Sequence, residues 1–184
     1  MGIPVTSVLC LLALALTVSA KGGFGPCPSV SGVGNFDLTK YLGTWYEIIR
    51  SKDMPFEKGN CVQAHYSLLP NGRVNITNSE ARNGELVYAY GQAYCDNTGY
   101  ANCHVSFSAW SPDGGYQVLS TDYSQHAVVF SCFSIGVYHW SYGWLLSRTP
   151  TIDSTYETYM QMIPGLESSD FMHTAQDNCP PRNY

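Results

Sequence analysis

The chain is short of charge. Only 12% of its 184 residues are Asp, Glu, Lys or Arg, against roughly a quarter in an ordinary soluble domain. The charge it has leans acidic, nine basic side chains against fourteen acidic ones for a net −5. That excludes the basic surface that nucleic acid rewards. Beyond residue 20 no apolar run approaches the roughly 18 residues of a membrane-spanning helix. Internal repeats, low-complexity tracts and linkers are also missing, so residues 21–184 read as one domain with enough length for a substantial core. No histidine pair sits at helical distance and no cysteine spacing matches a zinc site. His65, His104, His126, His139 and His173 are scattered with no Ser/His/Asp order, which speaks against hydrolytic catalysis.

What the chain has in excess is aromatic surface. Fourteen tyrosines and four tryptophans offer amphipathic area for a wet-edged cavity or an interface. The first 20 residues are different: Val8 to Leu16 is an apolar run, and Val18-Ser19-Ala20 supplies small residues for cleavage. This reads as a secretory signal peptide over 1–20 and predicts an extracellular protein. Its removal takes Cys10 and turns seven cysteines into six. An even number in a secreted chain means disulfides before metal, with fifteen pairings open.

Residues 21–34, rich in Gly, Pro and Ser, form an extended arm that is held only if Cys27 is bonded. The stretch Asn35 to Glu47 follows: a short turn with Phe36, Leu38, Tyr41 and Leu42, then Gly43, then an aromatic strand running to Arg50. After a connection with Pro55 and Gly59, Val62, Ala64, Tyr66 and Leu68 alternate with polar neighbours, the period of a half-buried strand. Asn71-Gly72 and Asn83-Gly84 are hairpin signals that introduce strands from Val74 and from Leu86. Further strands are expected over 104–110, 116–121, 126–132 and 139–148, separated by Gly, Pro and Asp turns. Eight closely spaced strands predict an all-β, up-and-down antiparallel barrel. One α-helix comes last, with Ile152, Tyr156, Tyr159, Met160 and Ile163 on one face. Ser154-x-x-Glu157 reads as its capping box and Pro164-Gly165 as its stop, so it should pack outside the barrel. A tail, 165–184, ends the chain.

Three segments resemble the signatures of the lipocalin family, in order. The first is Asn35-Phe36-Asp37 with Gly43-x-Trp45-Tyr46-Glu47, the second Thr121-Asp122-Tyr123, the third Arg148. The likeness covers essentially all of residues 21–184 and is strongest to the bilin- and carotenoid-binding branch. It implies that Arg148 packs across Trp45 at the closed end of the barrel, leaving function to the other end. It also implies the pairs Cys27–Cys132 and Cys61–Cys179. Subtraction leaves Cys95 with Cys103, a departure from the related pattern that would stiffen a loop. With every cysteine partnered no thiolate is left for catalysis.

Within such a barrel, side-chain parity predicts the lining. Trp140, Tyr142, Trp144 and Leu146 share the inward face of the last strand, Tyr66 and Leu68 that of the second. Val105, Phe107 and Ala109 face in from the fifth, and Tyr116, Val118 and Ser120 from the sixth. Tyr66, Leu68, Phe107, Tyr116, Val118, Trp140, Tyr142 and Trp144 are therefore the candidate ligand-binding residues, an aromatic cup for a flat or elongated apolar molecule with one or two polar groups. The resemblance implies a carried bilin, carotenoid, sterol or fatty acid, with a bilin or carotenoid as bound chromophore. It also implies self-association as a pigment-protein or interface subunit, and a membrane receptor or lipoprotein as partner. Asn75-Ile76-Thr77 is a sequon whose asparagine has the opposite parity to Val74 and Ile76, so Asn75 is an outward glycosylation candidate.

Overall fold

The computed structural model describes residues 22–182, apart from 53 and 109–112, together with Tyr184. The expected signal peptide and Ala109 lie outside the described residues.

The chain enters through β1 (Gly22–Phe24) and a single turn of helix, α1 (Leu38–Tyr41), capped by the Asp37 carboxylate on the Lys40 N–H. Eight strands then run up and down: β2 (Gly43–Ser51), β3 (Asn60–Leu68), β4 (Val74–Arg82), β5 (Glu85–Cys95), β6 (Asn102–Ser106), β7 (Gly114–Thr121), β8 (His126–Ile135) and β9 (Tyr138–Ser147). Each pairs antiparallel with the next, and β9 returns to β2 with Tyr46 opposite Ser147 and Arg50 opposite Trp144. The barrel is therefore closed, as expected. Two short strands are added at its seam: β1 on β9, and β10 (Phe171–His173) on the upper part of β2.

Two apolar layers hold this arrangement. Trp45, Tyr66, Val74, Ile76, Val118, Val129 and Leu146 fill the interior. Ile48, Ile49, Val128, Phe130 and Leu145 form an outer layer beneath the C-terminal segment. That segment is not the α-helix its spacing suggests but a 3₁₀-helix, Ser154–Met162. Its cap is Asp153, whose carboxylate accepts the Thr155 N–H at 2.8 Å, rather than Ser154. In a 3₁₀-helix residues three apart eclipse. Accordingly Tyr156 and Tyr159 both pack against the His126 ring, Tyr159 stacked and Tyr156 tilted, and Met160 and Ile163 both enter the outer layer. Gly143 makes this approach possible, since a Cβ there would meet Ile163 Cδ1 at 2.3 Å.

Disulfides Cys27–Cys132, Cys61–Cys179 and Cys95–Cys103 are all formed. The first fixes the arm and the second the tail, and each spans more than a hundred residues, worth roughly 4–5 kcal/mol at most on a chain-entropy view. The third joins cross-strand neighbours of β5 and β6 at the same end of the barrel as α1.

Candidate functional site

That end is closed by the signature residues. Gly43, at φ +91°, turns the chain from α1 into β2. Trp45 is fully buried, and its Nε1 donates to the Tyr41 carbonyl at 2.8 Å. The Arg148 guanidinium lies 3.7 Å from the centre of the Trp45 ring and donates to the carbonyls of Tyr123, Thr44 and Lys40 at 2.8–2.9 Å. Tyr123 ties the turn to α1: its hydroxyl accepts the Asp37 N–H at 3.0 Å. Asp122 accepts three backbone N–H groups, from Ser124, Gln125 and His126. Burial opposes ionisation of Asp122, but those hydrogen bonds and His126 outweigh it and hold its pKa below the ordinary value.

Above this floor a void of about 30 Å³ remains, room for about two waters. Phe36, Tyr41, Tyr66, Ile76, Tyr116 and Val118 border it, with both sulfur-bearing residues of the Cys95–Cys103 bridge. Three phenols meet here. The Tyr116 hydroxyl lies 2.9 Å from that of Tyr41 and 3.0 Å from that of Tyr66. Burial raises the pKa of all three, that of Tyr66 to about 12, so each stays protonated near neutral pH. Two O–H···O contacts use two of the three protons, so one donor is left over.

The upper half of the interior is unlike this. Glu47, on β2 two residues past Trp45, is 2% exposed, and the Arg50 Nη1 donates to its carboxylate at 2.9 Å. Arg50 also reaches the Gly59 carbonyl, and Thr174 of the tail donates to Glu47. The connection between β2 and β3 folds over the mouth. Met54 is buried, Phe56 packs edge-on against Tyr142 at 5.3 Å, and Glu57 Oε2 accepts the Trp144 Nε1–H at 2.9 Å. Glu80 receives the backbone N–H groups of Lys58 and Gly59 and pairs with Arg82. Burial, then the neighbouring Glu47 charge, pushes the Glu57 carboxyl well above the usual range.

Of the sequence candidates, Tyr66, Tyr116 and Val118 line the void. Trp144 packs on the interior layer, and Tyr142 and Trp140 continue that face toward the mouth beside Phe133. Leu68 and Phe107 do not join them. Leu68 ends β3 at the closed rim and is 54% exposed; Phe107 follows the shortened β6 and is 46% exposed. Ser120 is also displaced. A bulge between Val118 and Ser120 reverses parity, so Ser120 faces outward, 3.0 Å from His126. The residues that parity and motif leave out are Tyr41, on the turn before the strand, and the charged set Glu47, Arg50, Glu57 and Glu80. Counting by twos from Trp45 already places Glu47 inside. The outward parity of Asn75 holds, with Ile76 buried and Asn75 half-buried.

A family model described as a Lipocalin-like domain matches residues 36–175. Apolipoprotein D of Mus musculus is 38% identical over 96% of this chain and 98% of its own, and that of Cavia porcellus is 40% identical over 94% and 95%. Among solved structures, insecticyanin from the tobacco hornworm Manduca sexta superposes with a TM-score of 0.73 over 86% of this chain and 90% of its own, at 22% identity. Apocrustacyanin C1 superposes at 0.68 over 86% and 93%, at 23% identity.

Proposed function

This chain belongs to the lipocalin family, and from that premise we propose that it is a secreted carrier of a small hydrophobic ligand held in the barrel. The observation that carries this reading is the interior itself. A closed barrel whose mouth-side wall is Trp140, Tyr142 and Trp144, over a void edged by three phenols, is apolar with a few placed polar groups, the common make-up of a small-molecule site.

The void is too small for such a ligand with the mouth covered, so the covering segment lifts to admit one. Among the described residues it is held by the Phe56–Tyr142 edge contact, the Glu57–Trp144 hydrogen bond, two N–H bonds to Glu80, the bonds from Arg82 to the Phe56 carbonyl and from Arg50 to the Gly59 carbonyl, and the buried Met54. The role is binding and transport rather than catalysis. The ligand class is a bilin, carotenoid, sterol or fatty acid, and the visible absorption spectrum of native protein separates the coloured pair from the other two. Titration of stripped protein with retinol, a bilin, a sterol and a fatty acid, followed by tryptophan fluorescence, tests the proposal. Saturable one-to-one quenching by at least one is expected; failure of all four overturns it.

One observation favours self-association as a second property. Tyr88 and Tyr90 stack on the outer face of β5, and Tyr90 is 67% exposed. Sedimentation at several concentrations would show a rise in mass.

A further inference from the structure

The hairpin of β8 and β9 outgrows the barrel. Its ladder runs on until Ile135 stands opposite Tyr138. The neighbouring strands stop pairing earlier, β7 with β8 at Phe130 and β2 with β9 at Trp144. The rungs from Ser131–Tyr142 to Ile135–Tyr138 thus stand beyond the wall they continue, a reach of roughly 15 Å along the strands. Here β9 pairs outward with β1, Phe24 opposite Tyr138, and the Gly25 N–H donates to the Val137 carbonyl at 2.8 Å. The Cys27–Cys132 disulfide ties the arm after β1 to β8, so the projection is braced.

This projection carries no charge. Neither 22–36 nor 127–147 contains an Asp, Glu, Lys or Arg. Its outermost side chains are apolar and bare: Phe24 is 85% exposed, Val137 73% and Ile135 68%. Phe24 stands edge-on to Tyr138 at 5.3 Å, so these residues make one patch and are not scattered singles. Behind the tip lie Tyr138 and Trp140, both half-buried, with ring centres 5.0 Å apart. Apolar side chains foremost with amphipathic rings behind them is the order in which residues meet a lipid interface. The patch is a protruding turn, not a groove, and offers no charge to orient a protein partner. A lipid surface asks only for apolar area.

We infer that this projection inserts into a zwitterionic phospholipid surface, seating the barrel mouth against the lipid so that the ligand passes across without entering bulk water. This rests on the carrier reading and names the surface at which the carrier loads and unloads. A bilin, carotenoid, sterol or fatty acid each partitions into such a surface. Attachment through apolar area alone needs neither anionic lipid nor low salt.

Flotation of the full secreted chain with phosphatidylcholine vesicles tests this. Wild type should float with the vesicles, and binding should change by less than about twofold when salt rises from ~0.1 to ~1 M. The double substitution Ile135→Asp and Val137→Asp puts two charges at the tip and should weaken vesicle binding at least about tenfold. Leu68→Asp is the control. Leu68 is also bare, at 54%, but stands at the closed rim. That variant should bind within about twofold of wild type. Retinol offered in solution should quench the tip variant as it quenches wild type. Retinol offered in vesicles should reach the tip variant at least about tenfold more slowly. Wild type that does not float, binding that requires anionic lipid and fails in salt, or an equal loss in Leu68→Asp would overturn the proposal. So would a tip variant that floats normally but loses self-association in sedimentation, which would make the patch an interface between copies. Quenching by retinol in solution without flotation would leave the carrier reading standing alone. Flotation with no quenching by retinol, a bilin, a sterol or a fatty acid would remove the carrier reading and leave the lipid contact.

Discussion

The two halves of the barrel interior are built on opposite principles. The closed half is cross-braced around the Arg148 cation. Trp45, Arg148 and Tyr123 join α1, β2, the turn after β7 and the end of β9, and a disulfide borders the void above them. The open half is charged, its covering segment attached by an aromatic edge, the buried Met54 and several hydrogen bonds. The difference separates two jobs along one axis. Rings, phenols and one guanidinium brace the closed end, and charged side chains with two of the disulfides hold the open one.

Substitutions should divide along that line. Trp45→Ala empties the floor and should cost about 3–5 kcal/mol, read as a lower denaturation midpoint at unchanged slope. Arg148→Ala removes the cation over Trp45 and leaves several carbonyls without their donor, for a loss of about 2–4 kcal/mol. Tyr116→Phe deletes the central phenol and strands two buried hydroxyls, about 1–3 kcal/mol by thermal melt. In the open half the effect depends on pH. The Glu57 pKa is higher in the folded chain than in the unfolded one, so the folded state binds more protons in between. Stability therefore falls as pH rises above the unfolded value of about 4.5, by at most about 1.4 kcal/mol per unit, until the folded pKa is passed. Glu57→Gln should flatten that slope and leave the variant more stable than wild type at alkaline pH, which a melt series from about pH 5 to 9 would show. The smallest effect should come from Glu157→Gln, which removes an exposed partner of His173 on the outer surface, within about 0.5 kcal/mol of wild type.

What is legible in the sequence follows the regularity of the strands. Tyr66 and Val118 face in as alternation requires, and Trp45 and Arg148 meet as the family likeness implies. Alternation fails where the sheet is irregular. The bulge after Val118 turns Ser120 outward, and the register shift between Glu47 and Ile49 brings Arg50 to the inward face opposite Trp144. A one-residue slip reverses every later side chain, and the local sequence carries no mark of it. Glu57 is out of reach for another reason. It sits on an irregular segment with no period, and only the three-dimensional path brings it under Trp144. The C-terminal helix reads as α because apolar residues three and four apart suit either geometry, and Asp153 decides its start.

Native mass spectrometry of the protein purified from cells that secrete it, before and after extraction with organic solvent, tests most directly whether the barrel is a container. The structure predicts a complex heavier than the bare chain by one small molecule, lost on extraction together with a rise in tryptophan fluorescence. A bare-chain mass in both samples, with fluorescence unchanged, would contradict it.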